Sequence, residues 1–91
     1  MTKYRVAVAS KGLTDKEGSA AVPDILDEFR ARPWHTKVLC EWCGGELVVT
    51  TTSDYDATGQ ALLGEFWDAV HICVTYSNPI SVEVLSVDVE T

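Results

Sequence analysis

The chain has 91 residues, 46% of them apolar and 23% charged, with a formal net charge of −7. That length suits one domain, residues 1–91, because a second would be too small to bury its own core; the apolar fraction is too high for disorder, and no apolar run approaches a membrane span. All seven Lys and Arg lie before residue 38, so residues 38–91 carry nine acids and no fixed cation, a balance that argues against nucleic acid and anionic membrane as partners.

Lys3 to Ser10 alternates Tyr4, Val6 and Val8 against Arg5, Ala7 and Ala9, which predicts a strand. Residues 10–18 are polar and punctuated by glycine, so they read as a loop. A helix is expected to follow, capped by Ser19, with Pro23 tolerated only in its first turn. Its apolar stripe is Val22, Ile25, Leu26 and Phe29, Glu28 and Arg32 form an i,i+4 pair, and Pro33 ends it.

From His35 the pattern is a hairpin around Gly44-Gly45, a pair suited to a two-residue turn. That register sets Cys43 opposite Glu46, Trp42 opposite Leu47, Cys40 opposite Val49 and Val38 opposite Thr51. Val38, Cys40, Trp42, Leu47, Val49 and Thr51 then share the core face, with Cys40 and Trp42 buried and Cys43 nearer solvent. The other face carries Lys37, Leu39, Glu41, Cys43, Glu46, Val48, Thr50 and Thr52. A second helix is expected from about Asp56 to Thr75, striped by Leu62, Leu63, Phe66, Val70, Cys73 and Val74, until Asn78-Pro79 breaks it. The last strand, Ile80 to Glu90, alternates in two phases, which implies a bulge or contacts on both faces.

The order β-α-β-β-α-β predicts an α+β, ferredoxin-like sandwich, with two helices on one face of a four-stranded antiparallel sheet. So widely reused a fold does not name a function. RNA-recognition domains of this topology carry stacking aromatics where this chain has Ala7, Ala9, Val48, Thr50 and Thr52. Metal-carrying domains place Cys-x-x-Cys after the first strand, where Ser10 to Gly18 holds no cysteine. Phosphatases of this shape use a loop arginine, and that loop offers only Lys11 and Lys16.

Two motifs bear on metals. Cys40-Glu41-Trp42-Cys43-Gly44 has the form of a zinc knuckle, with His71 and Cys73 as further candidate ligands. Strand alternation sends Cys40 and Cys43 to opposite faces, which speaks against it. Asp54 to Glu65 resembles a calcium loop, with Asp54, Asp56, Thr58 and Glu65 as candidate ligands around Gly59. A capping Asp54 or Asp56 before an already helical Ala57 to Glu65 explains the same residues and implies no metal. His35 and His71 have no Ser or Asp at a suggestive spacing, and Asp24, Asp27 and Glu28 read as a solvated helix face.

No catalytic set and no cofactor are expected. Three cysteines, an odd number, suit reduced thiols in a cytoplasm, and Met1 to Ser10 has too short an apolar stretch for a signal peptide. The leading expectation is a non-enzymatic interaction or accessory module with a protein partner. A homodimer through the outer sheet face or a strand edge is one form of it, with Leu39 and Val48 as the motivating residues. The alternatives are a small-ligand binder or enzyme built around residues 10–18, which would need a deep pocket lined by Lys11, Asp15 or His35, and the metal-binding readings above.

Overall fold

The computed structural model describes residues 2–90. The chain runs β1 (Lys3–Lys11), α1 (Asp15–Arg30), β2 (Thr36–Cys43), β3 (Glu46–Ser53), α2 (Gln60–Cys73) and β4 (Ser81–Glu90). The strands form one sheet in the order β2-β3-β1-β4, with every neighbouring pair antiparallel. This is the α+β, ferredoxin-like arrangement that the element order implies.

Helix α1 starts earlier than its apolar stripe suggests. Thr14 Oγ1 accepts the Glu17 N–H at 3.1 Å, and Glu17 Oε1 accepts the Thr14 N–H at 2.9 Å, a complete capping box. Asp15 to Gly18 is therefore helix, not loop, and the polar connector shrinks to residues 12–14. Ser19 is not the cap; its hydroxyl donates to the Asp15 carbonyl at 2.8 Å. Pro23 consequently falls inside the helix, on its exposed side, rather than in the first turn. Packing of Gly18, Ala21, Ile25 and Phe29 into the interior holds the helix across that break.

The Gly44-Gly45 turn has both residues at positive φ, +58° and +79°, as a two-residue hairpin of right-handed twist requires. Cys43, Trp42 and Cys40 stand opposite Glu46, Leu47 and Val49 as expected. The register then slips between Leu39 and Thr36, where Lys37 sits at φ +50°, so the expected Val38–Thr51 pairing gives way to a bulge. Cys40 and Trp42 face the core but are half-buried rather than buried, because β2 is an edge strand that α1 covers incompletely. The Trp42 ring lies so close to α1 that a Cβ on Gly18 would come within 2.0 Å of it.

Helix α2 spans Gln60–Cys73, shorter at both ends than its apolar pattern implies. Gly59, at φ +80°, offers no side-chain cap. Asp56 supplies one from outside the helix, its two carboxylate oxygens accepting the Ala61 and Leu62 N–H groups at 3.1 and 2.9 Å. That detour leaves residues 57–59 non-helical.

In β4 the double phase resolves as a bulge. Ser86 pairs with Ala7 and Val84 with Val8, so Leu85 is the extra residue. The core lies between the helices and one sheet face, built from Val6, Val8, Ile25, Phe29, Leu47, Val49, Leu62, Phe66 and Val70. Both helices cover the same face, as the side chains facing the core require. The opposite face has no element over it among the described residues.

Candidate functional site

Side chains are arranged beyond the needs of the core at the entry to β2 and on the bare sheet face, and Trp67, His71 and Tyr76 form an exposed aromatic group at the end of α2. The first gathers around His35, at the entry to β2. Its imidazole is fully buried. Nε2 meets the Glu65 carboxylate of α2, and Nδ1 lies 3.2 Å from Thr51 Oγ1 of β3. Trp34 Nε1 donates to the other Glu65 oxygen at 3.0 Å, and Arg32 Nε lies 3.6 Å from it. Phe29 packs edge-on to the imidazole at 5.6 Å, with Trp34 and Tyr55 each at 6.2 Å. Partial burial and the carboxylates of Glu65, Asp56 and Asp54 push the Tyr55 phenol above its ordinary range.

Thr51, His35 and Glu65 are connected as a nucleophile, base and acid would be. Access decides the matter. Thr51 is 1% exposed and the imidazole is sealed, so no substrate atom can reach the hydroxyl. The arrangement fastens α2 to β3 and to the α1–β2 connection. Sequence spacing missed it because His35 stands 16 residues from Thr51 and 30 from Glu65; only the strand order brings them together.

The candidate calcium residues are dispersed by the same contacts. Asp56 caps α2, Thr58 Oγ1 accepts the Gln60 N–H at 3.4 Å, Glu65 belongs to His35, and Asp54 is exposed. The candidate zinc residues are likewise apart in role. Cys40 faces the core, where burial and then Glu41 push its thiol up to about 12. Cys43 is exposed, Cys73 points at the Asp24 carbonyl at 3.7 Å, and the His71 ring lies tilted against Trp67, centroids 4.2 Å apart. No group of three or more His, Cys, Asp or Glu sits at metal-holding distance among the described residues.

Of the residues expected to line a pocket near residues 10–18, Lys11 and Asp15 are engaged by neighbouring side chains. Lys11 bridges Glu83 at 2.8 Å and Glu46 at 3.6 Å, and its hydrogen bond to Glu83 raises its pKa. Asp15 accepts the Trp42 Nε1–H at 3.1 Å.

The second place is the bare sheet face. Register sorts its residues into rows running across the strands. Leu39, Thr50, Ala7 and Ser86 form one row, with the bulged Leu85 beside Ser86. The next row is Glu41, Val48, Ala9 and Glu83. Leu39 is 53% exposed and Leu85 46%. Between them Ala7 is half-buried and Ala9 is fully covered by its neighbours. Charges bound this strip at both ends. Arg5 donates to the Lys37 carbonyl at 2.7 Å and to Thr52 Oγ1 at 3.0 Å, and Lys37 Nζ reaches Glu90 at 3.7 Å. At the far end lie Lys11, Glu46 and Glu83.

Comparison with protein-family models, with curated proteins and with solved structures gives no match.

Proposed function

We propose that this chain is a non-enzymatic protein-interaction module that docks its partner on the bare face of its sheet. The observation that carries the reading is the strip of Leu39, Ala7, Val48 and Leu85, apolar and rimmed by charge. An antiparallel sheet with a solvated face ordinarily alternates to polar residues there, and apolar patches with polar rims mark interaction sites. The sealed Thr51 and His35 support a structural rather than a catalytic use of that cluster. Three unpaired thiols suit a reducing cytoplasm.

The test is a photo-crosslinking side chain placed at Thr50, in the strip, and separately at Asp68, on α2. Docking on the sheet yields a discrete product from position 50 that Leu39→Glu abolishes. A product from position 68 alone overturns the reading.

A further inference from the structure

We infer that two copies of this chain pair edge to edge along β2, so that each sheet continues into the other. The inference stands apart from the docking role above, because the edge and the bare face are different surfaces. Strand β2 has β3 on one side and no strand on the other. The two-residue turn makes Cys43 and Glu46 the hydrogen-bonded pair that closes the hairpin. Alternation then turns the N–H and C=O of Glu41 and Leu39 toward β3, and those of Cys40 and Trp42 outward. No turn, loop or cap hydrogen bond takes up the outward groups among the described residues. A strand laid against them satisfies them, which gives the occupant its shape.

The charges of β2 give the occupant its identity. Lys37 and Glu41 are the only charged residues of the strand, and they stand symmetrically about Leu39. In an antiparallel pair related by a two-fold axis, outward residues face outward residues, so the axis falls at Leu39, Cys40 or Glu41. An axis at Glu41 sets that carboxylate against its own copy, and one at Cys40 sets Lys37 opposite Cys43. With the axis at Leu39, Lys37 lies opposite Glu41 of the second copy, twice by symmetry. Leu39 then meets Leu39, and Val38 meets Cys40. Like charges stay about 14 Å apart, four residues along the strand. Glu41 enters no ion pair among the described residues. Lys37, its side chain 70% exposed, reaches Glu90 at 3.7 Å in a surface pair whose exchange costs little.

The other edge fails the same test. Strand β4 carries Glu83, Asp88 and Glu90 and no cation, so two copies of it repel. On the helical side, pairing along β2 closes a groove of about 370 Å³ between α1 and the strand, lined by Leu26, Phe29, Arg30, Pro33, His35 and Val38. Half-buried Leu26 and Val38 gain cover there.

Charge exchange across the seam tests the pairing. The unaltered chain is expected to reach a dimer at high micromolar concentration in sedimentation equilibrium. Lys37→Glu and Glu41→Lys should each raise the dissociation constant by about fivefold or more, with unchanged far-UV circular dichroism, because each brings like charges together twice. Mixed in equal amounts, the two variants should recover the dimer, since every seam contact again joins Lys to Glu. Leu39→Cys, in a chain also carrying Cys40→Ala, Cys43→Ala and Cys73→Ala, gives a second readout. It places two thiols in a non-hydrogen-bonded pair with Cα atoms about 4.5 Å apart, within disulfide reach. Mild oxidation should yield a covalent dimer from position 39 and none from Thr50→Cys in the same background, one strand further in. A monomer at every concentration, a mixture that stays monomeric, or equal crosslinking from positions 39 and 50 overturns the pairing.

Discussion

Cys40 and Cys43 stand three residues apart on one strand, and alternation turns them to opposite faces. Burial holds the Cys40 thiol protonated up to about pH 12, while Cys43 is exposed beside the turn. Since the thiolate is the nucleophile, iodoacetamide at pH 8 should modify Cys43 well before Cys40, as read by mass spectrometry of the native protein; equal rates would mean that Cys40 is not held in the core. The same thiol gives a linkage term of known sign. Above its ordinary value near 9 the unfolded chain loses this proton while the folded chain keeps it, so Cys40 erodes stability as pH rises from there to about 12. Pro23 is the other residue whose consequence is direct. It has no N–H to give the Ser19 carbonyl, yet lies inside α1. Pro23→Ala should stabilise the fold by about 1–3 kcal/mol in urea denaturation; a loss of stability would show that the ring is held by contacts its exposure does not suggest.

At the scale of elements, joints between them decide more than propensity does. Glu17 completes the capping box of α1 and also accepts the Ser77 N–H and hydroxyl at 3.0 and 2.8 Å, tying α1 to the connection before β4. Hydrogen bonds from the Thr14 backbone, and then from Ser77, hold its carboxyl below the ordinary range. The unfolded chain therefore takes up this proton first on acidification. Its contribution is complete above the ordinary carboxylate range and is lost as pH falls through the lowered value. Glu17→Gln should flatten the acid limb of stability against pH, and an unchanged limb would deny the joint its role. Gly18 and Trp42 form a second joint. Gly18→Ala adds a methyl where the indole already lies, and should cost about 1–3 kcal/mol through overpacking; a neutral result would mean that β2 swings away from α1 without penalty.

Much of this level was legible in the chain. Gly44-Gly45 and the alternating residues around it fix the hairpin from Leu39 to Thr50, because turn chemistry and side-chain period act locally. The Lys37 bulge has no local signature, since no residue there favours positive φ. The start of α1 is hidden because the Thr14–Glu17 box lies in a polar, glycine-bounded stretch with the composition of a loop. The His35 cluster depends on strand order alone, and no local pattern announces a contact across 30 residues.

Taken whole, the molecule divides its labour by face. The helices and the core-facing residues supply cohesion, and the network of His35, Glu65, Thr51 and Trp34 locks one end of that layer. Glu65→Ala should cost about 1–3 kcal/mol by leaving the buried imidazole without its partner, measured by urea denaturation, without altering association, since Glu65 lies on the helical side. A change in association instead would place the interface there. The sheet face keeps an apolar strip and charged ends that nothing within the described residues covers. The docking role proposed for that face is tested most directly by the photo-crosslinking side chain at Thr50. The expected result is a discrete crosslinked product from position 50 that Leu39→Glu abolishes. A product from position 68 on α2 alone would contradict it.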